Sequence, residues 1–174
     1  LKPFGNVGDQ DLRDGVAGYD SDTIGIAAGG DVRISDKSVL GMSFSYATTQ
    51  IEGKTEDLSR SSTEIDSYQL TLYTDYTTNK WYAEGMVGYA RNQVDTARTI
   101  DFGGLGLRAL GSYDADQIMA RVGGGVPLNM GSKTFVTPNA SFQYTSVQND
   151  SYSETDAGVL GQTVTPEDID VGMI

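Results

Sequence analysis

Apolar and polar positions alternate with period two along most of this chain, and helical period is almost absent, so the pattern predicts strands. From Thr23 to Ile34, Ile24, Ile26, Ala28, Gly30, Val32 and Ile34 share a face against Thr23, Gly25, Ala27, Gly29, Asp31 and Arg33. From Val39 to Thr48, Leu40, Met42, Phe44 and Tyr46 oppose Gly41, Ser43, Ser45 and Ala47. Asp66 to Tyr76 sets Tyr68, Leu70, Leu72 and Tyr76 against Ser67, Gln69, Thr71, Tyr73 and Asp75. Trp81 to Asn92 sets Trp81, Ala83, Gly85, Val87 and Tyr89 against Tyr82, Glu84, Met86 and Gly88. Asp114 to Val126 and Thr134 to Thr145 repeat the pattern, around Ile118, Ala120 and Val122 and around Val136, Phe142 and Tyr144. Partial strands are expected near Leu1 to Phe4 and Ile169 to Ile174.

Short and long connections alternate between these strands. Ser35-Asp36-Lys37-Ser38, Thr77-Thr78-Asn79-Lys80 and Asn129-Met130-Gly131-Ser132 are tight turns by composition. Gln50 to Ile65, Asp95 to Tyr113 and Ser146 to Asp168 are long polar links, expected as loops. In an up-and-down meander every short turn then falls at one end and every long loop at the other, the asymmetry of outer-membrane barrels. Greek-key sandwiches have no reason to sort their loops this way. The strands are also about the 9–11 residues that cross a bilayer at a tilt. Aromatic residues sit near the ends of the apolar faces, where interfacial rings belong: Trp81 and Tyr89, Tyr68 and Tyr76, Phe142 and Tyr144. Cross-strand aromatic pairing in a soluble barrel gives a similar pattern.

This phase assigns Phe44, Tyr68, Leu70, Trp81, Tyr89, Phe142 and Tyr144 to the lipid face or its girdles. It assigns Asp31, Arg33, Ser43, Glu84, Gln117 and Arg121 to the interior, as a hydrated lining of mutually compensating charges or as contacts for a threaded segment. Gly25, Gly29, Gly41, Ser45, Gly88 and Gly123 make that lining small, and small residues are expected to leave free room inside. The bland reading of the glycines is strand curvature.

Composition narrows the alternatives. Cys and His are absent from the 174 residues, which excludes disulfides, thiolate zinc sites and imidazole catalysis. Twelve basic against 24 acidic residues give a net charge of −12, the wrong sign for nucleic acid. No apolar run approaches the roughly 18 residues of a spanning helix. Mean hydropathy of −0.32 separates nothing further, because alternating barrel strands average to a polar value.

Candidate chemistry is sparse. Gly104-Leu105-Gly106-Leu107-Arg108-Ala109 matches a dinucleotide fingerprint, but lacks the strand-then-helix context that holds a pyrophosphate, so a surface loop is expected. Asp114 with Asp116, and Asp150, Glu154 and Asp156, lack the spacing of a calcium loop and are expected to be solvated. The reading assigns no catalytic residue, metal or cofactor, and no enzyme activity.

Together the series Lys2-Pro3-Phe4-Gly5, Gln10, Gly15, Gly18-Tyr19-Asp20-Ser21-Asp22-Thr23 and Gly29-Gly30-Asp31 resembles the opening of the autotransporter β-barrel of type V secretion. The resemblance continues through Gly41-Met42-Ser43-Phe44-Ser45-Tyr46, Asp66-Ser67-Tyr68-Gln69-Leu70, Pro138, Phe142-Gln143-Tyr144-Thr145 and Tyr152-Ser153-Glu154-Thr155. It implies an all-β, antiparallel up-and-down transmembrane barrel of about a dozen strands in the cell outer membrane. It also implies a linker helix through the pore, an N-terminal passenger at the surface, and as partners lipid, lipopolysaccharide and the barrel-assembly machinery. Residues 1–174 are expected to form one partial domain, truncated at both ends, with about eight of the strands and further ones after Ile174. The expected function is translocation and anchoring; a surface adhesin, or a self-contained pore or structural barrel, is the alternative.

Overall fold

The computed structural model describes residues 1–13, 17–54, 61–102, 105–131 and 134–174. Its strands are β1 (Lys2–Gln10), β2 (Gly18–Ser35), β3 (Ser38–Lys54), β4 (Ser61–Thr77), β5 (Tyr82–Phe102) and β6 (Leu105–Gly125). They continue as β7 (Leu128–Asn129), β8 (Phe135–Val136), β9 (Asn139–Asn149), β10 (Tyr152–Ser153), β11 (Thr163–Val164) and β12 (Ile169–Met173), with one 3-10 turn at Gly158–Leu160. Eight strands make a single sheet in the order β1-β2-β3-β4-β5-β6-β9-β12. Every neighbouring pair is antiparallel, as an up-and-down meander requires.

The strands run further than their apolar cores. The expected loop over Gln50 to Ile65 is strand as far as Lys54 and again from Ser61, leaving 55–60 outside the described residues. The expected loop over Asp95 to Tyr113 is also corrected: its ladder runs to Phe102 opposite Leu105. Polar composition signals contact with water, not the loss of pairing, and backbone groups still need partners there. The same finding corrects the loop assigned to the Gly104–Ala109 motif. Gly104 lies outside the described residues, and Leu105 to Ala109 belong to β6 with no helix behind them.

In the other direction, the strand expected over Thr134 to Thr145 is split. Thr137 and Pro138 separate β8 from β9, since proline brings no N–H to a ladder. The turn at Asn129 to Ser132 closes the small β7–β8 hairpin through Met130 N–H to the Thr134 carbonyl at 3.0 Å, and Ser132 lies outside the described residues. The other two short turns form where expected. Lys37 N–H donates to Ser35 Oγ at 3.2 Å, and Trp81 N–H to Thr78 Oγ1 at 3.0 Å.

Side chains directly opposite in an antiparallel ladder share a face. Ile26 opposes Tyr46, Phe44 opposes Leu70, Leu70 opposes Tyr89, Tyr89 opposes Ile118, and Val122 opposes Phe142. One apolar face thus runs unbroken from β2 to β9. β12 is out of phase with it: Ile169, Val171 and Met173 oppose Val147, Thr145 and Gln143 on the other face. Because the side-chain period is two, a one-residue change of register exchanges the faces of such a strand.

Candidate functional site

The two faces of the sheet are built differently, and their difference is the functional feature. On the apolar face the large side chains are open: Phe44 is 51% exposed, Val87 55%, Ile118 59% and Phe142 48%. On the opposite face Gly25, Gly41, Thr71, Gly88, Ala90 and Ala115 are buried. A water-soluble sheet turns its large apolar residues inward, and an exposed apolar area this extensive calls for an apolar medium or a partner.

Aromatic residues bound the apolar face at both ends. Near the short turns, Tyr76 and Trp81 lie with ring centroids 5.2 Å apart. Toward the long connections, Tyr46 and Tyr68 lie 5.0 Å apart, and three hydroxyls reach carboxylates on the neighbouring strand. Tyr46 donates to Asp66 at 2.8 Å, Tyr89 to Asp116 at 2.6 Å and Tyr144 to Asp170 at 2.7 Å. Each ring is amphipathic, with its body among apolar neighbours and its hydroxyl at the first charged row, as an interface demands. Trp81, just before β5, and Tyr89 on β5 are eight residue steps apart. At about 3.4 Å per residue that is roughly 27 Å along the strand, or about 20 Å of height at a typical barrel tilt. A membrane barrel's apolar band is about 25 Å tall, so the rings sit near its two boundaries. Of the expected lipid and girdle set, Phe44, Tyr68, Leu70, Tyr89, Phe142 and Tyr144 fall on this one face by register, and Trp81 joins it through its ring contact with Tyr76.

Asp31, Arg33, Ser43, Glu84, Gln117 and Arg121 all fall on the other face. The structure brings some of them together. Arg121 Nη2 lies 3.3 Å from Glu84 Oε1. Tyr73 donates its hydroxyl proton to Asp31 at 3.2 Å, crossing Gly41 on the strand between them. Ser67 donates to Asn92 Oδ1 at 2.7 Å, and Gln69 to Thr71 Oγ1 at 2.8 Å. Strand phase alone puts Tyr73 on this face, but its place opposite Gly41 is set by the β3–β4 register.

Free space at the small residues is not what the structure shows throughout. A Cβ at Gly41 would run into the Tyr73 ring, one at Gly25 into Phe4, and one at Gly125 into Tyr82. Gly123 lies under the Glu84 carboxylate. The glycines here are crossing points, where a longer side chain from a neighbouring strand lies over the backbone.

Of the five carboxylates expected to be solvated, Asp150 and Asp156 are exposed, whereas Asp114, Asp116 and Glu154 are engaged. Asp114 and Asp116 hold Arg91 from two sides, at 2.8 and 2.9 Å. Glu154 takes two hydrogen bonds from Arg98, at 3.2 and 2.6 Å, and one from Gln162 N–H at 3.0 Å, with its side chain only 8% exposed. Among the described residues no group of three acidic side chains converges to hold a metal ion.

A family model described as the autotransporter β-domain matches residues 1–173. Outer membrane protein B of Rickettsia prowazekii (strain Madrid E) is 28% identical over 170 residues, covering 94% of this chain and 10% of that protein. Outer membrane protein A of Rickettsia conorii is 27% identical over 176 residues, covering 95% of this chain and 8% of that protein. The chain therefore spans a tenth or less of these rickettsial relatives. Among solved structures, the translocator domain of autotransporter NalP from Neisseria meningitidis aligns with a TM-score of 0.70 at 17% identity, over 98% of this chain and 56% of that one. At that identity the likeness speaks for the fold alone. The family model reaches from β1 through β12 and takes in both faces of the sheet, so the chain belongs to the autotransporter β-domain family.

Proposed function

We propose that this chain is the outer-membrane translocator and anchor of a longer autotransporter, joined to a passenger that it carries to the cell surface. The observation that supports this most is the unbroken exposed apolar face from β2 to β9, bounded at both ends by aromatic rings. A sheet crossing a bilayer must pair every backbone group and turn its apolar side chains to lipid, and a closed barrel does both. In this reading Phe44, Leu70 and Phe142 meet acyl chains, with Tyr68, Trp81, Tyr89 and Tyr144 at the headgroups. Asp31, Arg33, Ser43, Glu84, Gln117 and Arg121 face the lumen and the linker helix that threads it. Lipopolysaccharide surrounds the end that carries the long connections, and the barrel-assembly machinery inserts the domain. The role is transport and anchoring, without an enzymatic step in these residues.

The test is surface display. An epitope is placed in the passenger of the full-length protein and counted with antibody on intact and on permeabilised cells. Equal counts are expected for the native protein. Deleting the β4–β5 pair, Ser61 to Phe102, is expected to remove surface signal while leaving epitope inside. An epitope that reaches the surface equally well after that deletion overturns the translocator role.

A further inference from the structure

One of the three short connections is chemically unlike the other two. Ser35 to Ser38 and Thr77 to Lys80 are polar, and the strands they join end there. The third connection, between β6 and β9, continues past that level. Thr77 opposes Tyr82 and Tyr82 opposes Gly125, so β4 and β5 turn back where Gly125 stands. Beyond Gly125 the chain pairs again as a separate two-stranded hairpin in the same register: Val126 N–H bonds the Pro138 carbonyl at 3.0 Å, Leu128 opposes Val136, and Asn129 opposes Phe135.

This projecting hairpin keeps the phase of the sheet. Val126, Leu128, Met130 and Val136 continue the row of Ile118, Ala120 and Val122 on the apolar face. Val126 is 44% exposed, Leu128 44%, Met130 69% and Val136 47%. Phe135 points to the opposite side and is 70% exposed as well. Rotating the hairpin therefore cannot hide its apolar surface from water. The sequence from 126 to 138 holds a single charge, Lys133.

We propose that this hairpin is a membrane foot, immersed in the headgroup and acyl boundary of the phospholipid leaflet at the short-turn end. This rests on the apolar face being the lipid face. The occupant follows from continuity: the same row of side chains leaves the lipid-facing sheet and enters the hairpin without a polar interruption. An apolar tip held in water carries an association hazard, whereas an interface accepts it. The foot gives the domain a second point of attachment below the Tyr76–Trp81 ring pair, and so resists tilting and axial slip of the sheet.

Cysteine is absent from these residues, which makes single-site labelling direct. Met130→Cys and Val136→Cys are made in the full-length protein, with any cysteine elsewhere replaced, and labelled with a polarity-sensitive fluorophore. Asn79→Cys is the aqueous reference and Leu70→Cys the mid-bilayer reference. The protein is folded into vesicles of phosphatidylethanolamine and phosphatidylglycerol, with or without lipids brominated near the headgroup. The expected result is a blue-shifted emission at 130 and 136, quenched at least twofold by the brominated lipid, with no quenching at 79. If positions 130 and 136 behave like 79 while 70 reports lipid, the foot is overturned and the lipid face stands. If 70 also reports water, the lipid-face reading itself fails. A label at 130 that reports water in vesicles but becomes shielded on adding a periplasmic extract also overturns the foot, in favour of a protein partner.

Discussion

Arg98 on β5 reaches over Ala109 on β6 to hold Glu154 on the far side, with Nη2 2.6 Å from Oε2 and Ala109 only 1% exposed. The connection after β9 is thereby tied to the edge of β6. Leu110 exchanges both backbone bonds with Thr155, at 3.0 and 2.8 Å, and Tyr113 stacks on Tyr152 with centroids 4.9 Å apart. Tyr152 lies over Gly111, so the same device of a long side chain above a small residue recurs at the end of the sheet that carries the long connections.

The tie should be sensitive to acid. Arg98 holds the Glu154 carboxyl below its ordinary 4.5, against the opposing effect of lost solvent. A carboxyl with a lowered value in the folded state stabilises above its unfolded value, and that stabilisation fades as pH falls through the folded one. Well above the ordinary 4.5 the connection should stay ordered, and it should loosen progressively as pH falls below that value. Glu154→Gln should loosen it at pH 7 by about 1.5–3 kcal/mol, a roughly ten- to hundredfold loss of amide protection near Leu110 and Thr155. Hydrogen exchange resolved by residue is the check; unchanged protection in the variant would leave the tie without energetic weight.

Topology gives a second expectation. Val159 stands fully exposed at the tip of the connection between β9 and β12, and Asp36 lies in the β2–β3 turn at the other end. A membrane-impermeant maleimide applied to intact cells should label Val159→Cys and spare Asp36→Cys. Permeabilising the outer membrane should admit label to both. Labelling at 36 alone in intact cells would invert the orientation.

The meander and the two faces were legible from period-two phase, because each strand's alternation survives pairing: Phe44, Leu70, Tyr89 and Phe142 all landed on one face. Phase does not show how far a ladder persists in polar sequence, so the β5–β6 hairpin between Asp95 and Tyr113 reads as a loop in the sequence. Long-range ties were equally hidden. Arg98 and Glu154 are 56 residues apart, and nothing local to Glu154 marks it as shielded. The glycines on the polar face were visible, but their role depends on which ring crosses them, and that is set by cross-strand register. β12 is where alternation and pairing disagree, and no local pattern announces its phase.

The crossing at Gly41 can be tested by filling it. Gly41→Ala places a methyl where the Tyr73 ring lies, which should push the ring aside and break its 3.2 Å bond to Asp31. Overpacking of this kind costs about 1–3 kcal/mol. Adding Tyr73→Ala should relieve much of that loss, so the double variant should be more stable than the sum of the singles predicts. Urea unfolding in lipid vesicles measures all three, and strict additivity would mean the ring and the glycine do not interact.

Arginine substitution discriminates most sharply between the two faces. Leu70 and Ser43 lie on adjacent strands, a residue apart in register and on opposite faces: Leu70 opposes Phe44, and Ser43 opposes Thr71. An arginine at mid-membrane on a lipid face costs about 2–4 kcal/mol, falling to about 0–1 near the interface. Leu70→Arg should therefore lower the stability of the folded domain in lipid by an amount in the upper range. Ser43→Arg should cost less if its face lines the hydrated lumen proposed above, which would solvate the guanidinium, and Asp31, two residues from Gly29 opposite Ser43, offers a nearby carboxylate. Ile24→Arg, close to the charged row of β2, should fall between the two. The order Leu70, Ile24, Ser43 follows from depth and face together, and hydrophobicity lost on substitution would not by itself separate Leu70 from Ile24. Equal losses at Leu70 and Ser43, measured by reversible unfolding of the full-length β-domain in vesicles, would mean the two faces meet the same medium and the barrel reading is wrong.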